Sequence, residues 1–150
     1  MNNNRNLFAL LVVALSFLAV NAHADGTSIG AKITDFSVPI TGITYHKDKT
    51  VVNVQSSGSI GDLGVVGGTL TAMAPVSPAA RAGLYTSEGA FFRPDDKVVS
   101  FSGQGTWKAL GKHTWRLNGV SINAEGGRSY ISSVLSLDGM SISGSVYALD

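Results

Sequence analysis

The chain has 150 residues, enough for one domain with a substantial core, and 44% of them are hydrophobic, enough to fill it. It has no cysteine, which excludes disulfides and thiolate metal sites. Its formal charge of +1 offers no basic stripe for a nucleic acid. Without Arg5 and the rest of the first 24 residues, ten basic groups face ten acidic ones, so anionic lipid is no obvious partner either.

The start of the chain sets the expected compartment. Met1–Asn6 is polar with one cation, Leu7–Val20 is an almost unbroken apolar run, and Ala22-His23-Ala24 precedes Asp25. That order reads as a secretory signal peptide over residues 1–24, leaving a domain of residues 25–150 in the periplasm or secreted. The run is shorter than the roughly 20 residues a spanning helix needs, so no stable membrane span is expected after cleavage. Without a cysteine after the cleavage site, lipoprotein attachment is excluded.

After a short polar lead, Ile29–Val38 alternates weakly. Pro39 is expected to interrupt it, since proline belongs at strand edges or starts. Ile40–His46 places Thr41, Ile43 and Tyr45 on one face, and Thr50–Gln55 is a β-branched strand. Ser56–Gly68 carries five glycines without a following helix or a phosphate-loop lysine, so it reads as a curved or bulged strand. Ala74–Gly83 is the one non-β segment: Ser77 can cap, Pro78 suits the first helical position and Gly83 stops the run. One short helical turn is expected near 77–82, either crossing a barrel mouth or running over the surface. Leu84–Phe92 has aromatics on both faces, which leaves Glu88 unoriented.

Val98–Asp150 is the most regular stretch. Val99, Phe101, Gly103, Gly105 and Trp107 share a face, as do His113, Trp115, Leu117 and Gly119. Ile131, Ser133, Leu135 and Leu137 form a third such set, and Met140, Ile142, Gly144, Val146 and Ala148 a fourth. Asp138-Gly139 is a two-residue hairpin signal. About eight runs with short sequential links make the expected fold all-β, a single antiparallel, eight-stranded, up-and-down β-barrel. Glycines beside large aromatics suit its curved walls.

The motifs Gly103-x-Gly105-x-Trp107, Gly111-x-His113-x-Trp115 and Leu135-x-x-Asp138-Gly139-x-x-x-x-Gly144 resemble those of small exported bacterial barrels of the lipocalin-like or allene-oxide-cyclase type. The resemblance covers about the last third of the chain. Lipocalins carry Gly-x-Trp near the mature start, whereas Gly105-Thr106-Trp107 lies mid-chain here. The resemblance implies an eight-stranded barrel and, in related barrels, binding or cyclisation of apolar small molecules.

The residues themselves suggest little chemistry. No metal-ligand spacing occurs, so no metal site and no cofactor are expected. Gly-x-Ser-x-Gly is absent, and abundant serine suits the solvated faces of strands. His113, on the Trp115 face by alternation, is a candidate for orienting a ligand or moving a proton, against the plainer reading of a strand-end histidine. Glu88 is a candidate base if it points inward, and a solvated surface charge if it does not. Tyr45, Phe101, Trp107, His113 and Trp115 are the candidate ligand-binding residues, although core packing alone would explain the tryptophans. The leading expectation is an exported barrel that binds an apolar small molecule inside. The alternatives are a cofactor-free isomerase or cyclase in the same cavity, and a structural or interaction domain with a filled core. An outer-membrane barrel is disfavoured, since glycines occupy the apolar face where lipid would want aliphatics.

Overall fold

The computed structural model describes residues 28–72 and 80–150. The expected leader at 1–24 lies outside them, as does the first half of the expected helical turn near 77–82; in the second half, Ala80 and Arg81 are not helical. Ala82, at the end of that turn, is already strand.

Eight antiparallel strands close into one barrel in sequence order: β1 (Ile29–Tyr45), β2 (Thr50–Gln55), β3 (Val65–Ala72), β4 (Ala82–Phe92), β5 (Val98–Gly111), β6 (Thr114–Asn123), β7 (Arg128–Ser136) and β8 (Ser141–Leu149). Closure comes from β1 pairing with β8, which removes the unpaired edges that an open sheet must protect. The period of two then decides what faces inward. On β5, for example, buried Val99 and Trp107 alternate with exposed Ser100, Ser102, Gln104, Thr106 and Lys108.

Three local expectations change. Pro39 does not interrupt β1. The strand pairs with β8 through Pro39 and with β2 only from Ile40, so the proline sits at the handover, where its missing N–H is not needed. A bulge between Ile40 and Gly42 then bends the strand. The glycine-rich segment is not continuous strand: it forms a loop with a single 3-10 turn at Gly61–Leu63 before β3 begins. Ser56 anchors this loop, its Oγ accepting from the Val66 amide at 2.8 Å. Gly64, at φ +80, lies so close to the Phe92 carbonyl that a side chain would collide with it. The last hairpin has four linking residues, Leu137–Met140, with Ser136 paired to Ser141. Met140 has φ +43 and is exposed, so it does not continue the inward face of Ile142.

The core runs across the middle of the barrel and towards one end: Val38, Ile40, Val52, Leu70, Ala72, Tyr85, Trp107, Leu117, Leu135 and Ile142. Tyr85 is its pivot. Its register partners are Ala72 and Gly105, and its ring lies over Gly105 and Gly119, with the hydroxyl against Gly119. A Cβ at Gly105 would stand 2.7 Å from the Tyr85 ring. These two glycines are therefore the space the tyrosine occupies.

Candidate functional site: an internal cavity

Where the packed layer ends, the barrel is hollow. A cavity of about 280 Å³ lies between that layer and the loops at 56–64 and 124–127. Its walls are mainly apolar: Phe36, Val54, Val66, Phe91, Phe101 and Ile131. Phe91 and Phe101 pack with ring centroids 4.8 Å apart. Gly68 and Gly89 make room for the Phe101 ring, which approaches both. Ile60 and Leu63, from the glycine-rich loop, fold over the end and complete the lining. Exposed Ile33, Gly127 and Arg128 border the cavity where it reaches the surface. For scale, a cavity of about 150 Å³ holds a benzene ring. This one suits roughly a dozen heavy atoms, or the apolar part of something larger that extends through the mouth.

Inward polar groups are few and mostly serines: Ser87, Ser121, Ser129 and Ser133, with Asn123 near the mouth. Asn123 Oδ1 accepts from the amides of Glu125 and Gly127 at 3.0 and 2.9 Å, so its carbonyl is committed to holding the β6–β7 turn. Tyr85 closes the cavity floor, and burial, with a smaller contribution from Tyr130, pushes its phenol up to about 12.

A second, smaller cavity of about 50 Å³ lies at the opposite end, bordered by Ile43, Tyr45, Trp107, Trp115 and Leu137 among others. It has room for about one water-sized group. Among the described residues, two buried polar atoms lack a hydrogen-bond partner, Thr50 Oγ1 and Trp107 Nε1, and both residues border this end.

The sequence-derived candidates divide between these places. Phe101 lines the large cavity. Trp107 is buried and Trp115 partly buried. They lie diagonally across the β5–β6 pairing, where Trp107 faces Leu117 and Ala109 faces Trp115, and both border the small cavity. Tyr45, at the end of β1, is 62% exposed at the rim of the same small cavity. His113 does not share the Trp115 face. Lys112 and His113 both have positive φ, at 30° and 57°, so the turn runs through His113 and β6 starts only at Thr114. Its exposed side chain meets Asp138 Oδ1 through Nδ1 at 3.1 Å, while its carbonyl accepts from the Leu137 amide at 3.0 Å, tying two hairpin tips together outside the barrel. Glu88 borders the cavity but alternates with inward Ser87 and Gly89, and its exposed side chain turns to solvent. Among the described residues no three of His, Asp and Glu gather into a metal-binding group.

Sequence reasoning missed Tyr85, Phe36, Phe91 and the covering loop. Tyr85 carried a readable signal, a large aromatic on the same face as Ser87 and Gly89, facing a Gly-x-Gly strand.

No family model matches the chain, and comparison with curated proteins and with solved structures finds no match. The closed eight-stranded antiparallel barrel is compatible with a lipocalin-like fold, so the resemblance rests on architecture.

Proposed function

We propose that this protein is an exported barrel that binds an apolar small molecule in its interior. The observation that carries the reading is the 280 Å³ apolar cavity inside a closed barrel, next to a packed layer of the same interior. Preformed, mostly apolar concavities with a few placed polar groups are the usual form of small-molecule sites. The filled-core alternative has no place for such a void. The isomerase alternative loses support because both groups proposed for it, His113 and Glu88, present their side chains outside the barrel wall. The leader-like residues 1–24 support export to the periplasm or beyond. On β5 the middle of the outer face is polar, at Ser100, Ser102, Gln104 and Thr106, where a lipid-facing band would be apolar. The lipocalin-like resemblance belongs to the same proposal.

The test is a titration with N-phenyl-1-naphthylamine, a neutral dye that brightens in apolar surroundings. Saturable brightening is expected. Ile131→Trp, which places an indole in the cavity, is expected to weaken it at least tenfold while the protein stays folded. Brightening that never saturates, or that is unchanged in the filled variant, rejects the cavity as the site.

A further inference from the structure

The cavity wall is not uniform. Along one cross-strand row, Ser87 on β4 pairs with Gly103 on β5, Gly103 with Ser121 on β6, and Ser121 with Ser129 on β7. All three serines point inward and line the cavity. Gly103 leaves a gap between the first two: a Cβ there would stand 2.8 Å from Ser87 Oγ and 3.3 Å from Ser121 Cβ. The missing side chain therefore lets Ser87 and Ser121 approach one recess from both sides. Ser121 Oγ donates to the Ser102 carbonyl at 3.1 Å, so it offers a ligand its lone pairs. The Ser87 hydroxyl can rotate to donate or accept. Other parts of the wall, at Val38, Val54, Val66 and Leu70, are apolar.

Charge is kept out of this space. Of the charged residues bordering it, Glu88 turns its side chain to solvent and Arg128 is exposed at the mouth, where it pairs with the outward Ile122. A carboxylate placed inside would lose its water without gaining a cation, which is costly. A neutral hydroxyl or carbonyl would exchange water for serine.

Building on the cavity reading above, we infer that the preferred ligand is a neutral apolar molecule carrying a hydroxyl or carbonyl at one edge, received by Ser87 and Ser121 over Gly103, with Ser129 extending the row. The row selects among apolar molecules of similar size, and the apolar wall supplies most of the affinity.

The experiment uses three compounds of matched shape, naphthalene, 2-naphthol and 2-naphthoate, each displacing N-phenyl-1-naphthylamine at neutral pH. It is run on the wild type, on Ser87→Ala/Ser121→Ala and on Ser129→Ala. Naphthol is expected to bind about two- to tenfold more tightly than naphthalene, the worth of one net hydrogen bond, and naphthoate most weakly. In the double variant the advantage of naphthol over naphthalene disappears; Ser129→Ala narrows it. Equal binding of naphthalene and naphthol by the wild type, or an advantage that survives the double variant, overturns the serine row while leaving the cavity as the site. Naphthoate as the tightest ligand also overturns it, in favour of Arg128 at the mouth. Failure of the dye and all three compounds to bind overturns the cavity reading together with this one.

Discussion

The two ends of the barrel interior follow the same alternation but are filled differently. At one end, Trp107 and Trp115 pack with Ile43, Leu135 and Leu137, and the remaining space is about 50 Å³. At the other, Phe91 and Phe101 lie against the wall, small inward residues at Gly68, Gly89, Gly103 and Ser121 replace bulk, and about 280 Å³ stays open. Tyr85, lying over Gly105 and Gly119, forms part of the layer between them. Backbone closure satisfies the strands regardless of how the interior is packed. One end can therefore carry stability while the other is left hollow.

Substitutions at the two ends should separate those roles. Trp107→Ala removes a buried ring from the packed end and is expected to cost about 3–5 kcal/mol in chemical denaturation. A cost near zero would mean that this end does not hold the fold. The dividing layer has a signature in pH. The folded state holds the Tyr85 proton more tightly than the unfolded chain, whose tyrosine titrates near 10. The Tyr85 contribution is thus whole below pH 10 and is lost as pH rises towards 12, at up to about 1.4 kcal/mol per pH unit. Tyr85→Phe should flatten that limb of the stability curve, and an identical limb in both proteins would place the titration elsewhere. Gly105→Ala drives a Cβ against the Tyr85 ring and the Asn118 carbonyl, and is expected to cost about 1–3 kcal/mol.

At the hollow end effects are smaller. Phe101→Ala removes a ring that is only partly buried, so the expected loss is about 1–3 kcal/mol, with a larger change in dye binding than in stability. His113→Ala, outside the wall, should alter stability by no more than about 0.5 kcal/mol and leave dye binding intact. A loss of binding in that variant would reopen a functional role for the hairpin tip.

Much of this contrast was legible in the chain. Inward Phe101, Trp107 and Trp115 follow from period-two counting, because regular pairing from Val98 to Ala109 keeps that period intact. Counting fails where the backbone leaves extended geometry. His113 and Met140 are assigned inward by alternation, but positive φ in their turns places them outside. Tyr45 keeps its expected side yet reaches the rim, where the barrel no longer covers it. The hollow could not be read at all. Whether Ile60 and Leu63 cover an open end depends on how a glycine loop folds back, and the volume left inside depends on which small residues face one another across four strands. The Gly103-x-Gly105 motif shows this limit well. Its glycines are visible in the sequence, but one makes room for Tyr85 and the other for a recess between two serines.

The most direct test is a residue-resolved NMR titration of the folded protein with 2-naphthol. The two tryptophans both lie at the packed end, which makes their indole signals internal controls. Saturable shifts of the Ser87, Phe101, Ser121 and Ile131 amides, with the Trp115 indole unmoved, are the expected result. Shifts confined to the outer face or to the tryptophan end, or no saturable shift at all, would contradict the assignment of the hollow end as a binding site.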